Sequence, residues 1–190
     1  MTHSHQRHAV GALLLVVCGL AQAHPGHASA AVDGLLHPWL GLDHLLAMVG
    51  VGWWATQLGG KARVLLPLTF VGVMALGMAA AVAGAVLPWR EAGAAWSVLA
   101  LGALIACAWR APLAGAVVCV GLFALAHGAA HGAGLPPQPE TLAFAACVLV
   151  STALLHAIGL GCASALAARA HWVRAGGVLL AAGGAYLIVA

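Results

Sequence analysis

Three stretches of this chain place histidines in apolar surroundings. The first reads His37-Pro38-Trp39-Leu40-Gly41-Leu42-Asp43-His44 and is followed by Met48. The second is His127-Gly128-Ala129-Ala130-His131-Gly132. The third has a single histidine, His156, between leucines and alanines. On an unbroken helix of about 3.6 residues per turn, His37 and His44 lie two turns apart on one face, with Met48 one turn further. Asp43 lies about 100° round that helix, where it can share a cavity with His44 or hold a histidine ring in position. His127 and His131 are four residues apart, so both imidazoles share a helical face, as in other two-histidine metal sites. Glycine and alanine stand between them, where a hydrolytic site usually has a glutamate.

Imidazole with carboxylate is a donor set of borderline hardness. It suits nickel, zinc, copper or iron and not calcium or magnesium, which take mostly oxygen. The pattern by itself stops at a divalent transition metal. A lone membrane histidine can simply hydrogen-bond a neighbouring helix, which is the plain reading of His156 alone. That reading fits the His37, Asp43 and His44 group poorly, because a buried anion needs compensation. Met48 by itself is read as packing before ligand.

The elements that must position these residues are membrane helices. Hydrophobic residues make up 64% of the 190 residues and charged residues only 6%, against roughly 25% charged in soluble domains. Such a chain cannot dress a water-facing surface. A net charge of +3 without a basic cluster gives nucleic acid nothing to bind. The cysteines form no C-x-x-C pair and read as small buried hydrophobes.

Residues 1–23 have the anatomy of a cleavable signal peptide: Arg7, an apolar core of about 12 residues, too short to span, and an Ala21-Gln22-Ala23 cleavage site. Residues 24–190 then form one all-α domain, a polytopic membrane helix bundle. Six spans are expected near residues 34–57, 64–87, 92–108, 113–132, 141–168 and 173–190, the fifth long enough to be tilted or broken. Cleavage puts the mature N-terminus outside the cytoplasmic membrane, and six spans return the C-terminus there. Lys61, Arg63, Arg110, Arg169 and Arg174 then fall in cytoplasmic loops, the positive-inside pattern. In this frame the polar residues descend from outside to centre: His24 and His27, then His37 and His131, then Asp43, His44 and His127, then His156.

The sequence resembles the HupE/UreJ family of nickel permeases, found with hydrogenase and urease systems. The first-span signature H-P-x-x-G-x-D-H-x-x-x-M is matched by His37, Pro38, Gly41, Asp43, His44 and Met48. The pattern H-G-x-A-H-G is matched by His127, Gly128, Ala130, His131 and Gly132, and the fifth-span histidine by His156. Two residues beyond Gly132, where the family often has an acidic residue, this chain has Gly134. The resemblance implies import of Ni²⁺ across the cytoplasmic membrane, with Co²⁺ or Zn²⁺ as other cargo, and no prosthetic group. The ion would pass along His37, Asp43, His44, His127, His131 and His156, with weaker parts for His24, His27 and Met48. The chain has no P-loop motif, so it does not itself hydrolyse ATP; facilitated or secondary transport is expected, and the oligomeric state stays open. Three other classes compete: an intramembrane zinc hydrolase, a haem b electron carrier and a structural assembly subunit. No G-x-S-x-G motif or nearby glutamate base supports the hydrolase; a Soret band would mark the haem protein; and a structural subunit predicts that His44→Ala leaves metal uptake untouched.

Overall fold

The computed structural model describes residues 27–136 and 138–190. The expected signal peptide and His24 lie outside the described residues. Seven helices follow in order: α1 (His27–Leu40), α2 (Leu42–Leu58), α3 (Ala62–Val82), α4 (Arg90–Ala106), α5 (Leu113–Gly132), α6 (Pro139–Ala165) and α7 (Ala170–Val189). The described residues contain no strand. Four helices, α3, α5, α6 and α7, are long and apolar enough to cross a membrane. At 17 residues each, α2 and α4 are shorter.

The fourth apolar segment, residues 113–132, coincides with α5. The fifth is one unbroken helix of 27 residues, about 40 Å long, so its length is not relieved by a break. The second segment stops sooner than its apolar run suggests. Here α3 ends at Val82 and the chain turns through Gly84, whose φ of 95° suits glycine.

The largest departure is in the first segment, where one continuous helix is expected and two are found. Gly41 leaves the helical region at φ −85°, ψ 114°. The ladder hardly notices: the Gly41 N–H still donates to the His37 carbonyl, and the Gly41 carbonyl accepts from Leu45. Pro38, expected near a helix start, lies instead in the last turn of α1. Its missing N–H removes one ladder bond just before the break.

The helices pair as α3 with α5, α4 with α7, and α6 with both α1 and α2. Small residues set these approaches, as in other membrane bundles. A Cβ on Gly52 of α2 would land on the His156 carbonyl of α6, and one on Gly159 would land on the Val49 carbonyl. Trp54, Phe70, Met48, Leu66 and Met74 fill the centre, each fully buried. Large apolar side chains such as Leu40, Leu68, Leu76 and Leu179 face outward, which lipid tolerates and water does not. Of the cysteines expected to be buried, Cys147 is, Cys119 is half-buried, and Cys107 and Cys162 face outward.

Candidate metal site

The break at Gly41 lies at the centre of the site. His37 and His44 flank it, with ring centroids 5.7 Å apart. A side chain at position 41 would obstruct this arrangement: its Cβ would sit 2.8 Å from His44 Nδ1 and 3.1 Å from Asp43 Oδ1. His37 lies in the last turn of α1 and Asp43 in the first turn of α2. An anion near α2's N-terminus matches the helix dipole.

Helix α5 brings the second pair. Its glycines make the approach: a Cβ on Gly128 or Gly132 would overlap the Met74 or Met78 carbonyl of α3. Gly128, one of the residues between the two histidines, is therefore a spacer for helix packing. His131 reaches both His37, at 4.9 Å between centroids, and His44, at 4.4 Å. His127 lies 5.1 Å from His44. Ligand nitrogens of His37, His44 and His131 all lie within 4.8 Å of one another. Burial deepens through the cluster, from exposed His37 to His44 at 9%, His131 at 6% and His127 at 0% accessible surface.

The hydrogen bonds prepare these rings for ligation. His44 Nδ1 is 2.6 Å from Asp43 Oδ1. His127 Nδ1 donates to the Phe123 carbonyl at 2.9 Å, and His156 Nδ1 to the Met48 carbonyl at 2.7 Å. A carbonyl can only accept, so Nδ1 of His127 and of His156 carries the proton and Nε2 keeps its lone pair in the neutral ring. Metal-ligating histidines are held in this way, one nitrogen anchored and the other free. Nε2 of His44, His127 and His156, and both nitrogens of His131, are buried without a protein partner. Leaving one such atom unsatisfied costs about 1–3 kcal/mol. A cation between His37, His44 and His131 could take up one nitrogen of each ring, with Asp43 to offset part of its charge.

Of the predicted residues, the structure gathers His37, Asp43, His44, His127 and His131. His156 stands apart from that cluster, against the Phe70 ring at 5.1 Å; Phe70 in turn lies 5.5 Å from His127. Met48 contributes its carbonyl to His156 and accepts the Thr152 hydroxyl on its sulfur at 3.3 Å. His27 begins α1.

Several supporting residues escaped the sequence reading. Ser151 accepts the Trp39 indole N–H and donates to the Leu35 carbonyl, tying α1 to α6. Phe144 packs edge-on against His37 at 5.5 Å. Adjacent Ser151 and Thr152 in an otherwise apolar span were a readable signal, since buried hydroxyls need partners. Nothing in the sequence marks Phe70 or Phe144.

Comparison with known proteins identifies the family. The family model described as HupE / UreJ protein matches residues 12–187. Protein HupE from Rhizobium leguminosarum bv. viciae is 42% identical over 178 residues, covering 92% of this chain and 93% of that protein. No solved structure matches. The chain belongs to the HupE/UreJ family of membrane transport proteins.

Proposed function

We propose that this protein is a permease that carries Ni²⁺, with Co²⁺ as the closest competing cargo, across the cytoplasmic membrane toward the cytoplasm. The observation that carries the reading is the convergence of His37, His44 and His131 within 4.8 Å, with anchored neighbouring rings and buried free nitrogens. Several imidazoles and one carboxylate suit a borderline divalent ion. Membership in a transporter family sets the hydrolase alternative aside.

In this reading α1 and α2 together form one interrupted span and α3 to α7 form five more. Interrupted helices that face an ion with their ends recur in transporters. The mature N- and C-termini lie outside, and the lysine- and arginine-rich end faces the cytoplasm. His24 and His27 raise the ion's concentration at the entrance. The ion exchanges water for His37, His131 and His44, with Asp43 offsetting its charge, passes His127, and reaches His156. Binding must be loose enough to release, so several modest sites serve conduction better than one cage.

Radioactive nickel uptake at submicromolar concentration, in cells lacking their own nickel importers, tests this. Saturable uptake that depends on the protein and is lost in His44→Ala at matched expression is expected. Correctly inserted protein without nickel uptake would refute the reading.

A further inference from the structure

The end of the bundle opposite the histidines has an unusual charge distribution. Lys61, Arg63, Arg110, Arg169 and Arg174 are all there. The chain's acidic residues are Asp33, Asp43, Glu91 and Glu140. Asp43, Glu91 and Glu140 sit in the first turns of α2, α4 and α6, whose other ends form the basic face. Helices of 17 to 27 residues put those carboxylates about 25–40 Å away, far beyond a Debye length of about 8 Å. Asp33 lies on α1, which packs through Gly34 on Phe144, in the early part of α6. The five cations therefore have no carboxylate to balance them.

A cavity of about 280 Å³ opens at this end, lined by Thr56, Gln57, Arg110, Ala163, Val173 and Arg174 among others. Arg174 Nε donates to the Ala106 carbonyl at 2.8 Å, and Gln57 Nε2 to the Ile105 carbonyl at 3.0 Å. These bonds fix both side chains at the cavity wall. Gln57 lines the cavity, and its Oε1 is buried without a partner. The cavity thus combines two guanidinium groups that lack an anion with one acceptor that lacks a donor. Trp109 and Trp172, each more than half exposed, flank it as residues at the lipid headgroup level do.

We propose that this cavity is a headgroup site for an anionic phospholipid whose phosphodiester also carries a hydroxyl. Phosphate oxygens lie between Arg110 and Arg174, the pairing guanidinium groups favour. The headgroup hydroxyl donates to Gln57 Oε1. Basic pockets between membrane helices on the cytoplasmic side take such lipids, and here the acceptor adds selectivity for a hydroxylated headgroup. The site is independent of the ion path and stands or falls without it.

The test is native mass spectrometry of the full-length protein in detergent, titrated with phosphatidylglycerol, phosphatidylmethanol (anionic, no hydroxyl) or phosphatidylcholine. Phosphatidylglycerol should be retained several-fold better than phosphatidylmethanol, and both better than phosphatidylcholine. Arg110→Gln should lower the anionic preference several-fold, and Arg110→Lys should recover only part of it. Gln57→Leu should remove the preference for the hydroxyl while keeping that for the charge. Arg110 is the arginine to replace because Arg174 also caps α4. Equal retention of the three lipids, or an anionic preference untouched in Arg110→Gln, would overturn the proposal. So would displacement by millimolar inorganic phosphate, which would make the ligand a soluble anion.

Discussion

Two histidine regions of this molecule are built differently. Where α1, α2 and α5 meet, four imidazoles stand edge to face around the break at Gly41, and one of them reaches the surface. Deeper in, His156 offers one free nitrogen, with Phe70 at its side and the α2–α6 seam closed by Gly52 and Gly159. The first region can wrap several ligands round one ion and exchange them stepwise. The second cannot hold an ion tightly alone, which suits a relay. The proposed path for a divalent ion thus divides into a capturing cluster and a passing point.

The comparison breaks most readily at His131, which touches both His37 and His44. Changing residues that merely orient ligands costs about 10–100-fold, so His131→Ala should lower submicromolar uptake by more than about 100-fold. Near-normal uptake in that variant would dissolve the capturing cluster. Asp43→Asn keeps His44 but removes its anionic anchor, and the loss should fall within that range of about 10–100-fold. Acid provides a third handle. Ligation needs neutral imidazole, and protonation both removes the lone pair and adds repulsive charge. Uptake should therefore fall as acid protonates the rings; a profile that rises with acid contradicts imidazole capture.

His156→Ala sharpens the division. Nickel binding to purified protein should persist while transport drops several-fold; loss of binding would merge the two regions into one. The smallest effect is expected from Met48→Leu. Its carbonyl still anchors His156, and Met-to-Leu exchange in a core costs less than about 1.5 kcal/mol. Uptake should stay within about twofold of the parent protein, and a large loss would return Met48 to the ligand set.

Much of this was legible in the sequence, for physical reasons that also mark its limits. Apolar runs between turn residues give α5 its bounds and place the other helices within a few residues, save the start of α1 at His27 and the end of α3 at Val82, because hydropathy and length govern membrane helices. The same signal is blind to the break at Gly41, where one residue changes ψ and the apolar run continues. That break matters most, since it lies between His37 and His44, where a Cβ would crowd His44 and Asp43. The i, i+4 spacing placed His127 and His131 on one face, and their glycines turned out to set the approach of α5 to α3. The anchor of His127, on a carbonyl four residues back, follows from helix geometry alone. The anchor of His156 on the Met48 carbonyl and the contacts of Phe70 and Phe144 join residues far apart in sequence, and no local pattern announces them.

The most direct measurement of the central claim is X-ray absorption at the nickel edge on purified protein carrying one equivalent of Ni²⁺. Multiple-scattering features of at least three imidazoles, reduced in His131→Ala and in His44→Ala, are the predicted result. A spectrum of oxygen ligands that neither substitution changes would contradict the account.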